Sequence, residues 1–220
     1  MYEEARITVE VVSAIICFIL VRYMIKPYWL TREGRYLGLP LGFAFLGVSY
    51  AISAVAYSEL YYFSGLLWIQ LFARTFAFVF LAVTYYFSTK TSKIRMIWDI
   101  TLSLLIVILV ALFLVAFIFP QVTSNTYAAS QLYVRVFIVI CLSYIVIHTF
   151  RSHIKSPDPT TIWVPMGFML FAISQYSLLF WYIDNSLAAF TGSLTLRLMA
   201  LSVFLAVTYF SFKENKRTGK

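Results

Sequence analysis

The chain has 220 residues, of which 62% are hydrophobic and 12% are charged. Soluble domains are nearer half apolar and a quarter charged, so this composition excludes an ordinary soluble fold. A net charge of +8 would suit a nucleic-acid-binding protein, but the placement of the charges, described below, is typical of membrane topology instead. Cys17 and Cys141 both lie inside apolar runs, which indicates neither a disulfide framework nor a metal site.

Seven apolar runs follow one another along the chain. The first is preceded by MYEEAR, which lacks a basic segment, and no small-residue cleavage site follows it, so we predict a retained helix and not a signal peptide. Each run is long enough to cross the hydrocarbon, where only a helix satisfies its own backbone groups. The sequence therefore predicts an all-α polytopic membrane protein, a single seven-helix domain over 1–220. The runs are 7–25, 37–58, 66–88, 97–119, 131–150, 162–183 and 194–212.

Charges at the ends of these runs predict the orientation of the chain. One set of ends carries most of the basic residues, whereas the opposite set carries four acidic residues and a single base, Arg6. Because Lys and Arg accumulate on the cytoplasmic side, we predict an N-terminus outside and a C-terminus in the cytoplasm. The compact loops favour the plasma membrane. The 13 basic residues at the predicted cytoplasmic ends are Arg22, Lys26, Arg32, Arg35, Lys90, Lys93, Arg95, Arg151, Lys155, Lys213, Lys216, Arg217 and Lys220.

Two stretches of the sequence occur twice. The segment LPLGFAFLGVS at 39–49 matches VPMGFMLFAIS at 164–174, an offset of 125 residues. The segment FLAVTY at 80–85 recurs at 204–209, an offset of 124 residues. Because the matches are in the same order and at nearly the same spacing, they indicate an internal duplication.

The duplication predicts two parallel three-helix units joined by a linker helix. The first unit covers 1–88, the linker helix 97–119 and the second unit 131–212. A unit with an odd number of helices would be inverted if it were repeated directly, and the linker helix restores its direction. Such parallel repeats are related by an axis along the membrane normal.

This 3+1+3 layout, with Pro40 and Pro165 at matched places, resembles the SWEET sugar transporters, and the helix count resembles the microbial rhodopsins. The resemblance to SWEET proteins implies two units around a path for a small solute. SWEET units also carry a proline in their first helix, which this chain lacks, so their binding residues are not carried over. No predicted helix interior holds a lysine, which excludes a retinal Schiff base.

Several charged and amide side chains fall inside the predicted spans. A charge in the hydrocarbon costs at least a few kcal/mol, so it usually faces a cavity or another charge. We predict a polar pocket that opens to the outer side, and three arginines against one glutamate would favour a small anion, such as a carboxylate or a phosphate head group. The predicted ligand-binding residues are Glu10, Gln70, Arg74, Arg135, Gln175 and Arg197.

The same residues allow a purely structural interpretation. By the predicted spans, Arg135 and Arg197 lie about 6 Å from the outer helix ends and could extend to the interface, whereas Arg74 lies about 12 Å deep. Glu10 and Arg135 occupy equivalent positions in the two units, so we expect them to face each other as an ion pair. The matched residues Ser49 and Ser174 either line a path or hold helices together through hydrogen bonds.

The sequence predicts no catalytic residues, no metal site and no cofactor, and hence no enzyme. The three functions that remain are a receptor-like or sensor-like protein that binds a small ligand from outside, a SWEET-like small-solute transporter, and a non-catalytic subunit of a larger membrane complex. The cytoplasmic half is almost uniformly apolar, which favours the receptor. Its partners would be the lipid bilayer, a small anion or lipid head group, and a membrane or cytoplasmic protein, with no nucleic acid.

Overall fold

The structure, a computed structural model, describes residues 2–31, 37–58, 64–88, 95–118, 124–155 and 162–218. Every regular element within these ranges is an α-helix, which confirms the predicted all-α class. The helices are α1 (Tyr2–Met24), α2 (Lys26–Thr31), α3 (Gly38–Tyr57), α4 (Ser64–Ser88), α5 (Arg95–Ile118), α6 (Ser124–Lys155), α7 (Trp163–Asp184) and α8 (Leu187–Thr218).

Seven of these helices are long and apolar enough to cross a membrane, as predicted. The short α2 continues α1 after a turn at Ile25, and the two share the candidate span Glu4–Trp29. The charged loop positions Arg32, Arg35, Glu59, Lys90 and Lys93, like the tail residue Lys220, lie outside the described residues, so the predicted orientation stays a prediction.

The predicted starts of two helices were wrong. α6 begins at Ser124 and α8 at Leu187, each seven residues before the apolar run that indicated it. The extension of α6, SNTYAAS, is rich in small and polar residues, whereas that of α8, LAAFTGS, mixes apolar with small residues and belongs to the candidate span Leu187–Ser211. The apolar runs therefore marked the most hydrophobic part of each helix and not its beginning.

Six of the long helices form a closed ring. Each helix of the ring packs against the next in the order α1, α3, α4, α6, α7 and α8, and α8 packs against α1 to close it. The remaining long helix, α5, packs against α4 from outside the ring. The helices α1, α4, α6 and α8 begin at one end of this bundle, which we call the N-terminal face. In the predicted duplication, α1, α3 and α4 form one unit and α6, α7 and α8 form the other. The ring order is compatible with two such units facing each other, but the duplication itself stays a prediction.

Phenylalanine side chains fill the ring interior away from the N-terminal face. Phe204 lies at the centre, with its ring centroid 4.7 Å from that of Phe168 and 5.5 Å from that of Phe43. Aromatic rings in such edge-to-face contacts pack densely and exclude water. We refer to the fully buried set Phe43, Phe78, Phe168, Phe171 and Phe204 as the aromatic cluster.

Candidate functional site

The charged side chains of the interior lie at one level of the bundle. Arg74, Arg135 and Arg197 are 10, 11 and 10 residues after the starts of α4, α6 and α8. At 1.5 Å per residue, each lies about 15 Å from the N-terminal face. These distances are measured from the helix starts and not from a membrane surface, so the predicted depth of about 6 Å for Arg135 and Arg197 stays a prediction. Arg135 is only 6% exposed and Arg197 only 3%, so neither extends to the bundle end.

Glu10 and Arg197 form a buried ion pair. Arg197 Nη1 donates a hydrogen bond of 3.0 Å to Glu10 Oε1, and both side chains are almost inaccessible to solvent. The predicted pairing of Glu10 with Arg135 is wrong, since the remaining carboxylate oxygen has no hydrogen-bond partner. The physical reason is the ring order, because α1 lies next to α8 whereas α6 lies next to α4.

Tyr50 connects this ion pair to the next arginine. Its ring is fully buried, and its centroid lies 4.5 Å from Arg197 Cζ and 5.4 Å from Arg74 Cζ. A cation within about 6 Å of an aromatic ring is attracted to the ring, more strongly when both are desolvated. The ring of Tyr50 therefore stabilises the buried guanidinium of Arg197 and the partly buried one of Arg74 at once.

A small cavity lies where α4, α6 and α7 meet, and we call it the α4–α6 cavity. The cavity has a volume of about 10 Å³, which is enough for about one water molecule. Four of the six predicted ligand-binding residues line it, whereas Glu10 and Arg197 form their ion pair elsewhere. The cavity is lined by Gln70, Leu71, Arg74, Tyr127, Gln131, Val134, Arg135, Ile138 and Gln175.

Hydrogen bonds between α3 and α4 position the cavity residues Gln70 and Arg74. Arg74 Nε donates to Ser49 Oγ at 3.2 Å, and Ser49 Oγ donates to the carbonyl of Gln70 at 3.1 Å. Gln70 Nε2 in turn donates to Ser53 Oγ at 3.1 Å. These bonds orient Arg74 and leave its buried Nη2 without a partner.

Matched serines hold matched helix pairs together. Ser49 bonds the carbonyl of Gln70, one helical turn before Arg74, and Ser174 bonds the carbonyl of Ser193 at 2.9 Å, one turn before Arg197. Of the two roles predicted for these serines, interhelical hydrogen bonding is the one that they have in the structure. The arginines of α4 and α8 therefore occupy corresponding places.

The two arginines that line the α4–α6 cavity lack a counter-charge. Among the described residues, no carboxylate forms an ion pair with Arg74 or Arg135. The ionised side chains that act on Arg135 are Arg74 and Arg6, both cationic, and the buried Arg135 Nη1 has no hydrogen-bond partner. A cation whose N–H groups are buried without a counter-charge is costly, so the charges at this pair favour a nearby anion.

Tyr127 covers the cavity towards the N-terminal face. Its ring meets that of Trp68 edge to face at 5.4 Å between centroids, and Gln131 Nε2 donates to its hydroxyl at 3.4 Å. Tyr127 precedes the candidate span Ala129–Lys155, and burial raises the pKa of its phenol to about 12, so the hydroxyl is neutral at physiological pH. Sequence reasoning missed Tyr127 because it assigned 120–130 to a loop.

Comparison with known proteins identifies no relative, since no family model, no curated protein and no solved structure matches the chain. The resemblance to SWEET transporters and microbial rhodopsins is therefore supported only by the seven long apolar helices. The buried side chains of the chain itself are the evidence on function.

Proposed function

We propose that this chain is a receptor-type protein of the plasma membrane, with its N-terminal face outside, that binds a small anionic ligand in the α4–α6 cavity. The observation that carries this proposal is the pair of arginines, Arg74 and Arg135, that line one cavity with buried N–H groups and no carboxylate beside them. A ligand with a negative charge would accept those hydrogen bonds and neutralise the local charge. Such binding requires no chemical conversion of the ligand.

The route for the ligand supports access from the N-terminal face. Tyr127, whose ring contacts that of Trp68, lies between the cavity and that face, and a rotation of these two side chains would open the cavity. On the other side, Phe78 lies one helical turn after Arg74 and Phe171 one turn before Gln175, and both belong to the aromatic cluster. Because this cluster is dense and apolar, it opposes passage of a charged ligand through the bundle.

A SWEET-like transporter is the second candidate, favoured by the ring of six helices. Three helices from each half of the chain surround a common interior, as a rocking mechanism would require. Transport would need the aromatic cluster to separate during each cycle. This requirement ranks transport below binding.

The proposed function is tested by titrating the purified protein in lipid nanodiscs with halides, small carboxylates and phosphate at constant ionic strength. Ligand binding should change the tryptophan emission, because Trp68 contacts the residue that covers the cavity, and the change should be absent in Trp68→Phe. Arg74→Gln should weaken binding about 10-fold or more, since a hydrogen bond to a charged group contributes about 1.5–3 kcal/mol. The matched control is Arg22→Gln, which removes an exposed arginine of α1.

Counterflow uptake into liposomes separates the two candidate functions. The receptor predicts saturable binding with no uptake above that of empty liposomes. Uptake that depends on Arg74 would overturn the receptor and establish the transporter. Binding that is equal in wild type, Arg74→Gln and Arg22→Gln would contradict both assignments of the cavity.

A further inference from the structure

Two interfaces of the ring correspond to each other but differ in charge. The interface of α8 with α1 places Arg197 beside Glu10, and the interface of α4 with α6 places Arg74 beside Arg135. Arg74 and Arg197 occupy corresponding positions. Each lies one helical turn after a residue, Gln70 or Ser193, whose backbone carbonyl accepts a hydrogen bond from a serine of the neighbouring helix. Glu10 and Arg135 lie 125 residues apart, which is the offset of the predicted duplication.

Comparison of the two interfaces shows that Arg74 lacks the carboxylate partner that Arg197 has. Arg197 is neutralised by a carboxylate at 3.0 Å, whereas Arg74 faces a second cation. Arg135 lines the cavity, only 6% of its surface is exposed, and its buried Nη1 has no hydrogen-bond partner. An anion between Arg74 and Arg135 would have the same electrostatic role as the carboxylate of Glu10.

The size of the cavity restricts the anion. Small-molecule sites usually enclose about 300–1,000 Å³. The α4–α6 cavity has a volume of about 10 Å³ and therefore admits one particle of the size of a water molecule. A halide ion is the common anion nearest to that size. The N–H groups of Arg74 and Arg135 and the side-chain amide of Gln175 are the donors around it, since the amides of Gln70 and Gln131 donate to Ser53 and Tyr127.

We infer that the α4–α6 cavity binds a single halide-sized monovalent anion between Arg74 and Arg135, in the role that Glu10 has beside Arg197. This inference rests on the proposed function, because it names the ligand class of the same cavity. Binding of the anion also stabilises the interface, because its absence leaves two repelling cations between α4 and α6.

The test exchanges sodium gluconate for sodium chloride at constant ionic strength and follows the thermal unfolding of the purified full chain. Chloride should raise Tm in proportion to the logarithm of its concentration above Kd, by about 5–10 °C at roughly 100 times Kd. Arg135→Glu places a carboxylate at the position that corresponds to Glu10. We expect this variant to lose the chloride response and to unfold in gluconate at or above the wild-type Tm. Arg74→Gln, a milder change, should also lose the response.

The matched control is Arg151→Glu, which makes the same charge change at an exposed position of the same helix and should keep the full chloride response. A Tm that is insensitive to chloride, or a full response in Arg135→Glu, overturns the inference. Stabilisation by acetate or phosphate but not by chloride overturns the inference and leaves the proposed function intact. Chloride stabilisation together with liposome uptake overturns the receptor and leaves the anion site intact.

Discussion

Replacement of Glu10 by glutamine tests the energetic importance of the buried ion pair. The variant Glu10→Gln keeps an oxygen that accepts the hydrogen bond from Arg197 Nη1 but removes the charge that the buried guanidinium requires. Removing one partner of a buried pair costs about 3–5 kcal/mol. Because the hydrogen bond survives, we expect the lower end, about 3 kcal/mol. For a chain of 220 residues this corresponds to a fall in Tm of about 6–12 °C.

The assay is thermal unfolding in detergent, followed by tryptophan fluorescence, with Glu4→Gln as the matched control. Glu4 is exposed on the same helix, so its replacement should change Tm by less than about 1 °C. Combining Glu10→Gln with Arg197→Met removes both charges and should recover most of the loss, because a buried ion pair is often replaceable by apolar side chains. Equal Tm values for Glu10→Gln and Glu4→Gln would refute the reasoning.

Two further predictions concern packing and topology. In Gly167→Ala the new Cβ would lie 2.8 Å from Cζ of Phe204, so we expect a loss of about 1–3 kcal/mol, whereas Gly192→Ala, with nothing within 4 Å, should gain up to about 1 kcal/mol in the same unfolding assay. Equal effects of the two substitutions would contradict the close contact. A tag at the N-terminus should be accessible from outside intact cells and a tag at the C-terminus only after permeabilisation, and access to both from one side would disprove an odd number of spans.

The helices of this fold were predictable because lipid acts on every residue of a span in the same way. A run of about 20 apolar residues has to be helical whatever its neighbours are, so all seven spans were found from hydropathy. The apolar runs missed the starts at Ser124 and Leu187, where each helix begins with residues less apolar than its middle. The missed start of α6 also left Tyr127 in a segment assigned to a loop.

The side chains of the site were predictable as a set but not as partners. Charge inside a span singled out Glu10 and the three arginines, since such charges are rare. Which of them meet depends on the order of the helices around the ring, and hydropathy carries no information on that order. Internal repetition suggested that Glu10 and Arg135 face each other, whereas adjacency of the first and last helices determines the pair that forms.

The ion pair between Glu10 and Arg197 joins positions 187 residues apart in the chain. A ribosome delivers α1 to the membrane long before α8, so the carboxyl group of Glu10 enters the bilayer while its partner has yet to be synthesised. The ring is completed only when the final helix is inserted beside the first. A nascent chain that stops before Arg197 would therefore retain an uncompensated acid in α1, and the synthesis and insertion of α8 become the step that secures the bundle.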